Sequence, residues 1–331
     1  MCAVPVHAAA PPPVPVTAEL VEAATKERKV VFYTSIEAEV AEKLGKAFTA
    51  TYPGVTVQVE RTGSERIFQR VEQEYASNIH SIDAFEANDV THLLAWKQQG
   101  WLAPYVPADV ARWPASARDA DGLYAASRAT LSVMGYNTGL IKPEDAPKRY
   151  ADLLDPKWSG RIVKAHPGYS GNIMTATFAL SRALGWDYFK ALGQQRVMQV
   201  QSANEAPKKL ALGERPLMFD GNEYIPLMLK TQGAPVAIIY PSEGTPLCSG
   251  AAGVMKDAPH PNAARLFIAY FFSRAGQQFL VDNYLRSFHP DVAEPADRVP
   301  LSQIKLLIAD PGEQEKAIEE IKQRYRDYFG T

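Results

Sequence analysis

The stretch FDGNEY at residues 219–224 follows a short apolar run at 216–218 and precedes another at 227–229. The first run is typical of a short buried strand, and the second of the opening turns of a helix. Open α/β sheets bind ligands where polar side chains follow a strand and precede a helix. An ordinary strand-to-helix turn has the same pattern, so the choice depends on whether the rest of the chain repeats it.

Three strand-and-helix units are predicted in the first hundred residues. Apolar runs at 28–35 and 82–85 indicate buried strands, and the alternation at 55–59 indicates a strand between them. Helical periodicity follows each strand, as in the spacing of Leu44 and Phe48. This β-α-β-α-β-α order predicts a parallel sheet covered by helices, so the fold class is α/β.

The carboxyl end of each of these strands carries polar residues. All strands of a parallel sheet deliver that end to the same edge, so these residues should form one polar rim. Helix N-termini with hydroxyl groups beside them suit an anion, although each group taken singly is more typical of a helix cap. The expected ligand-binding residues of the rim are Tyr33, Thr34, Ser35, Thr62, Gly63, Ser64 and Asn88.

A second α/β unit is predicted from about residue 137. Its strand at 161–164 leads into the stretch 168–172, where Gly168 and Gly171 permit a close approach of the backbone to an anion. Polar residues again follow the successive strands. The candidate ligand-binding residues of this unit are Ser170, Gly171, Asn172, Asn204, Glu223, Tyr224 and Glu243.

The run at 123–136 lies between the two units and is apolar with few breaks, as a strand crossing between two lobes would be. Arg128 is the only charged residue in this run. It is either an exposed hinge residue or a cation that faces the ligand, and the sequence alone does not decide between them.

Composition excludes several classes of protein. A chain of 331 residues with 46% hydrophobic and 22% charged residues is globular and long enough for two domains. The formal net charge of -2 gives no electrostatic reason to expect nucleic acid or an acidic membrane surface as a partner. The longest apolar runs, such as 266–272, are much shorter than the roughly 20 residues of a membrane span.

The first ten residues end in small side chains of the kind that signal peptidase accepts, and a proline-rich stretch follows at 11–15. We expect a truncated signal peptide and a linker over residues 1–25, and hence a periplasmic protein. The alternative is a wrongly assigned start on a cytosolic protein. Since Cys2 and Cys248 are the only cysteines, we expect no structural disulfide.

No catalytic motif is present in the sequence. None of the six histidines is spaced i, i+4 from another, and P-loop, G-x-G-x-x-G and C-x-x-C motifs are absent. The stretch 168–172 departs from a nucleophile elbow at Asn172. We therefore predict a binding protein without a cofactor, and keep an enzyme of the same fold as an alternative.

Several stretches are together similar to one protein family. The chain resembles the solute-binding proteins of bacterial ABC importers, extracellular solute-binding family 1, in the branch around ferric-ion-binding proteins. The resemblance covers about 29–289. It is carried by the stretches at 31–35, 100–105, 135–138, 153–160 and 260–264, with Gly276 and Gln277.

The resemblance implies a two-lobed periplasmic-binding-protein type II fold. Each lobe is then a mainly parallel sheet flanked by helices, and the lobes close like a hinge on a solute in the cleft between them. It also implies a monomer whose partners are a small-molecule ligand and an ABC permease in the inner membrane. The expected lobes are 26–127 plus 247–284 and 128–246 plus 285–331.

The resemblance leaves two ligand classes open. Ferric-binding relatives hold iron with adjacent tyrosines at the position of Glu223 and Tyr224, and only Tyr224 is present here. Ferric iron is a hard cation that prefers several anionic oxygen ligands, and these two residues provide few. The residues at 62–64, those at 170–172 and Arg128 instead suit a phosphate, phosphonate or carboxylate group. Our leading hypothesis is a small organic anion, with ferric iron held by Tyr224 and Glu223 as the alternative.

Overall fold

Two β-sheets organise the computed structural model, which describes residues 10–296 and 298–330. The larger sheet has the order β12-β11-β3-β1-β2, with β4 and β5 also paired to β11, and the smaller has the order β10-β6-β9-β7-β8. The strands are β1 (Lys29–Thr34), β2 (Thr56–Arg61), β3 (Ala84–Asn88), β4 (Leu102–Ala103), β5 (Tyr124–Leu131), β6 (Met134–Asn137), β7 (Ile162–Ala165), β8 (Met198–Val200), β9 (Leu217–Met218), β10 (Val236–Ile239), β11 (Thr245–Met255) and β12 (Leu306–Ile308).

Helices cover the faces of both sheets. The α-helices are α1 (Ala18–Glu27), α2 (Ala38–Thr51), α3 (Ser64–Ala76), α4 (Thr91–Gln99), α5 (Gly171–Leu184), α6 (Trp186–Gln194), α7 (Glu205–Ala211), α8 (Tyr224–Thr231), α9 (Pro261–Phe272), α10 (Arg274–Asp282) and α11 (Pro311–Phe329). Short 3-10 helices lie at Ala108–Arg112, Ala115–Ala117, Pro143–Asp145, Tyr150–Leu154, Pro156–Trp158 and Leu301–Gln303. Within the part of the chain that the structure describes, no helix combines the length and the apolar composition needed to cross a membrane.

The first three strands form the parallel part of the larger sheet. β1 pairs in parallel with β2 on one side and with β3 on the other. Because successive side chains of a strand point to opposite faces, Phe32 packs against Phe267 of α9, with ring centroids 4.8 Å apart, while Val31 belongs to the core under α3 and α4. The predicted α/β fold is confirmed.

Strand β11 of the larger sheet was not predicted from the sequence. It runs antiparallel to β3 on one edge and to β5 on the other. Its middle is rich in glycine and alanine because the side chains of buried residues surround it. A Cβ at Gly250 would lie 2.6 Å from the Ser127 hydroxyl and 2.7 Å from a Glu86 carboxylate oxygen. A run of such small residues is typical of a loop, and it forms a strand here because these buried side chains leave room only for small residues.

The structure describes part of the N-terminal segment. The predicted signal-peptide remnant lies almost wholly in residues 1–9, outside the described residues. The expected linker is instead attached to the larger lobe. The Val14 amide donates to the Val106 carbonyl at 3.0 Å, and α1 packs on α9, where the Glu27 carboxylate accepts from the Ala263 amide at 2.7 Å.

The two sheets are joined by short crossings. Leu131, the last residue of β5, pairs with Leu247 in the larger sheet, and β6 begins at Met134 in the smaller one. Arg128 thus lies in the larger sheet, as does β12, although both were expected in the second lobe. We propose that the chain changes lobe at 132–133 and again at 240–244.

Candidate functional site

The two lobes meet where the carboxyl ends of their strands face each other. Backbone groups approach closely there: a Cβ at Gly63 would overlap the Tyr169 carbonyl oxygen, and one at Gly171 would overlap the Asn88 carbonyl oxygen. Only glycine allows this approach at either position. The cleft is therefore closed in this structure, and the residues along it can be examined as neighbours.

The N-termini of two long helices meet where the two lobes come together. α3 begins at Ser64 after Gly63, and α5 begins at Gly171 after Ser170, and neither helix has a side-chain hydrogen bond capping its first turn. The Ser64 hydroxyl instead accepts a hydrogen bond from the Asn88 amide at 3.1 Å. Uncapped N-terminal amides carry partial positive charge, so the meeting point favours an anion.

Arg128 lies at the floor of the cleft and is fully buried, so it is not an exposed hinge residue. Its Nε lies 3.0 Å from a carboxylate oxygen of Glu86, which is buried as well, and its Nη2 donates to the Ser35 hydroxyl at 3.2 Å. The Thr34 hydroxyl also donates to Glu86, at 2.8 Å. The charge of Arg128 is therefore compensated within the protein. The Cζ atom of Arg128 lies 5.9 Å from the centroid of the Tyr224 ring.

Three asparagines form a hydrogen-bonded row across the second lobe. The Asn172 amide nitrogen donates to the Asn222 side-chain oxygen at 2.5 Å, and Asn222 donates in turn to Asn204. Asn204 then donates to the Tyr224 hydroxyl at 3.0 Å. The Oδ1 atom of Asn172 is buried without a hydrogen-bond partner among the described residues. The row therefore has an acceptor available for a ligand donor.

A buried ion pair holds the loop that carries Asn222. Lys164 Nζ lies 2.7 Å from Asp220 Oδ2, and Asp220 Oδ1 accepts from the Ala165 amide at 2.8 Å. The Asn222 amide donates to the Ala203 carbonyl at 3.1 Å. These bonds fix the turn at 219–224 and so place the Asn222 side chain, which was not among the predicted ligand-binding residues, in the row.

Polar contacts also cross the cleft near its opening. Glu37, in front of α2, pairs with Lys208 of α7 at 2.6 Å and accepts from Asn204 at 2.9 Å. Arg61 Nη2 donates to the Ser202 hydroxyl at 3.3 Å, and Arg66 Nη2 donates to the Gln201 side chain at 2.8 Å. Neither Glu37 nor Arg61 was among the ligand-binding residues predicted from the sequence.

Glu223 faces away from the cleft. Its carboxylate accepts from Arg286 at 2.9 and 2.8 Å, from Arg298 at 2.5 Å and from the Tyr240 hydroxyl at 2.5 Å. Burial raises the pKa of Glu223, but the hydrogen bonds and charges of the two arginines outweigh burial and lower the pKa below its ordinary value. Glu223 is therefore a structural anion and is not part of the site that we propose.

Two further predicted residues lie apart from the cleft. The Tyr33 side chain lies on the opposite side of β1, where its hydroxyl donates to Glu74 at 2.9 Å and Arg70 stacks on its ring. Glu243 is on the surface, where it accepts from the Ala151 amide at 3.3 Å. The structure brings together the remaining candidates, which are Thr34, Ser35, Thr62, Gly63, Ser64, Asn88, Arg128, Ser170, Gly171, Asn172, Asn204 and Tyr224.

Of the side chains that bind metal ions, the Tyr224 phenol lies in the cleft. In the described ranges, no cluster of three or more His, Cys, Asp or Glu side chains could hold a metal ion. Burial raises the pKa of the Tyr224 phenol above its ordinary value.

Asp89 lies directly behind the cleft and is a buried acid without an ion-pair partner among the described residues. Its carboxyl accepts from the Thr91 amide at 3.0 Å and from the Gln314 side chain at 2.7 Å. Burial, with a smaller contribution from the charge of Glu65, raises the pKa of Asp89 to about 6 from 3.8.

We expect Asp89→Asn to remove one component of the pH dependence of stability. A carboxyl whose pKa is higher in the folded state stabilises the fold below about pH 4, and this contribution is lost as the pH rises through about 6. The free energy of unfolding of the wild type should therefore fall relative to the variant by about 2 kcal/mol between pH 4 and pH 7. Urea unfolding of both proteins from pH 4 to pH 7 measures this difference, and parallel pH profiles would contradict it.

Comparisons with known proteins agree with this architecture. A family model described as a bacterial extracellular solute-binding protein matches residues 83–304. Iron uptake protein A1 of Synechocystis is 24% identical over 276 residues, which span 78% of this chain and 75% of that protein. The Fe(3+)-binding periplasmic protein of Serratia marcescens is 21% identical over 277 residues, 79% of each chain.

Solved structures of periplasmic binding proteins are also similar to this chain. AfuA from Actinobacillus pleuropneumoniae, a periplasmic binding protein with fructose-6-phosphate bound, superimposes with a TM-score of 0.82 at 23% identity and covers 91% of this chain and 98% of its own. Iron-bound HitA from Pseudomonas aeruginosa gives 0.76 at 22% identity and covers 91% and 99%. At these identities, the structural likeness establishes the two-lobed fold.

Proposed function

Because this chain belongs to the bacterial extracellular solute-binding protein family, whose members bind solutes for transport rather than act as enzymes, we propose that it is a periplasmic protein that captures a small organic anion. The anion carries a phosphate, phosphonate or carboxylate group. The protein binds it in the cleft between the lobes and delivers it to an ABC permease in the inner membrane.

One observation carries this proposal. The uncapped N-termini of α3 and α5 meet at the cleft, and the hydroxyl and amide groups of Ser35, Asn172 and Asn204 lie beside them. Helix N-termini and neutral donors stabilise an anion without a large local excess of fixed charge. The acceptor on Asn172 and the amide row then serve a hydroxyl or amine elsewhere on the ligand.

Ferric iron is the second candidate. Two relatives are named as iron-uptake or Fe(3+)-binding proteins, HitA is iron-bound, and the Tyr224 phenol lies in the cleft. The orientation of Glu223 towards Arg286 and Arg298 weighs against it, because that carboxylate would have to leave two cations in order to reach the metal.

A thermal-shift panel on ligand-stripped protein tests the proposal. The panel comprises inorganic phosphate, phosphonates, sugar phosphates, dicarboxylates, polyamines and ferric citrate. A ligand at 100 times its Kd adds about 2.7 kcal/mol of stability, which is a shift of several degrees for a domain of this size. We expect the shift with an organic anion.

Two variants locate the binding site. Asn172→Ala should reduce the shift, since it removes a buried hydrogen-bonding side chain from the cleft. Glu243→Ala is the control and should leave the shift unchanged, because its carboxylate lies outside the cleft. A shift with ferric citrate, but with neither iron-free citrate nor any other anion of the panel, would overturn the proposal in favour of the second candidate.

A further inference from the structure

The charged groups of the cleft differ in whether a partner compensates them. Arg128 is paired with Glu86, and Lys208 is paired with Glu37. Each pair contributes little net charge. Arg61, at the end of β2, has no carboxylate within ion-pair distance among the described residues, and its side chain is only partly buried. Arg61 is therefore a cation in the cleft that forms no ion pair with a described side chain.

The contacts that Arg61 does make are long and involve neutral acceptors. Its Nε donates to the Ile36 carbonyl at 3.4 Å, and its Nη2 donates to the Ser202 hydroxyl at 3.3 Å. Bonds of this length are weak, whereas a guanidinium paired with a carboxylate or phosphate makes short, charge-assisted bonds. An anion in the cleft would therefore compete well against the Ser202 hydroxyl for this side chain.

The position of Arg61 places its charge at the site. It directly precedes Thr62 and Gly63, where the N-terminus of α3 faces the second lobe. Its charge also acts on the Tyr224 phenol: burial raises the pKa of Tyr224, the charge of Arg128 opposes that rise, the charge of Glu37 adds to it, and the charge of Arg61 opposes it. The guanidinium thus lies within electrostatic reach of the groups that line the cleft.

We infer that Arg61 is the residue that selects anionic over neutral ligands, by exchanging the Ser202 hydroxyl for the charged group of the ligand. This inference rests on the proposed function and adds a division of roles to it. Arg128 supports the floor of the cleft, while Arg61 supplies the ligand-facing charge. Since Arg61 and Ser202 belong to different lobes, the same exchange makes closure around the ligand depend on the ligand's charge.

Isothermal titration with inorganic phosphate and, separately, malonate tests this inference on three variants. Arg61→Gln removes the charge. Ser202→Ala keeps the charge but removes the contact across the cleft. Arg66→Gln removes an exposed cation that makes a similar contact across the cleft to Gln201.

We expect Arg61→Gln to weaken binding by roughly 10- to 100-fold, the usual range for loss of a charge-assisted hydrogen bond. Ser202→Ala and Arg66→Gln should stay within about threefold of the wild type, since neither removes the charge proposed to face the ligand. Wild-type affinity should also fall between 50 and 500 mM salt by a larger factor than the affinity of Arg61→Gln.

Unchanged affinity in Arg61→Gln, with a native circular dichroism spectrum, would overturn the inference while leaving the proposed function intact. Equal losses in Arg61→Gln and Ser202→Ala would also overturn it, because Arg61 would then act only as a link between the lobes. If the wild type binds neither anion, the inference fails, and the thermal-shift panel still decides the proposed function independently.

Discussion

Arg128→Met should lower the free energy of unfolding of the ligand-free protein by about 3–5 kcal/mol, the typical cost of removing one partner of a buried ion pair. The variant leaves the Glu86 carboxylate with no cation beside it in a fully buried position. The hydroxyls of Thr34 and Ser127 would still donate to Glu86, but neutral donors compensate a buried charge only in part.

Chemical denaturation with urea measures this loss, and a double variant serves as its control. Glu86→Gln combined with Arg128→Met removes both charges, so it should be clearly more stable than the single variant. A single variant that unfolds within about 1 kcal/mol of the wild type would show that Arg128 is not a structural cation. The division of roles between Arg128 and Arg61 would then lose its support.

Glu223→Ala should be destabilising by a similar amount, about 3–5 kcal/mol, because it leaves Arg286 and Arg298 without the carboxylate that they share. The buried Arg286 Nη1 and Arg298 Nε atoms already have no hydrogen-bond partner among the described residues, and the Glu294 carboxylate that remains beside the two arginines is partly exposed. Thermal and urea unfolding should both report the loss.

Glu294→Ala is the matched control for Glu223→Ala. Glu294 contacts the same two arginines, but its side chain is 27% exposed, so its removal should cost at most about 1 kcal/mol. The opposite outcome would be a Glu223→Ala protein as stable as the wild type that no longer binds ligand. That result would restore Glu223 to the role in ligand binding that the sequence had indicated for it.

Much of the fold could be predicted because its signals are local. The strands at the start of the chain and the helices after them have clear periodicity, and their order alone implies a parallel sheet. β11 could not be found in this way. Its small residues have low strand propensity and make sense only beside the buried side chains of Glu86 and Ser127.

The candidate site was predicted less completely, for two physical reasons. Sequence position identifies which residues follow a strand but not the direction of their side chains, and this direction separates Tyr33 and Glu223 from the cleft. The sequence also does not show which charged residues pair with each other, because Arg128 and Glu86 are distant in sequence and adjacent in space. Asn222 lies within the stretch 219–224, and its position directly before Glu223 and Tyr224 was the only indication in the sequence that it belongs to the site.

The place of β11 in the chain also determines when the larger lobe can form. β3 ends at Asn88 and β5 at Leu131, but the strand that joins them does not begin until Thr245. Pairing over such separations must overcome the entropy of closing a long loop before it adds stability, and this slows folding. In the order of the chain, every strand of the smaller sheet comes between β5 and β11. We therefore expect the pairing of β11 with β3 and β5 to limit the rate at which the protein folds.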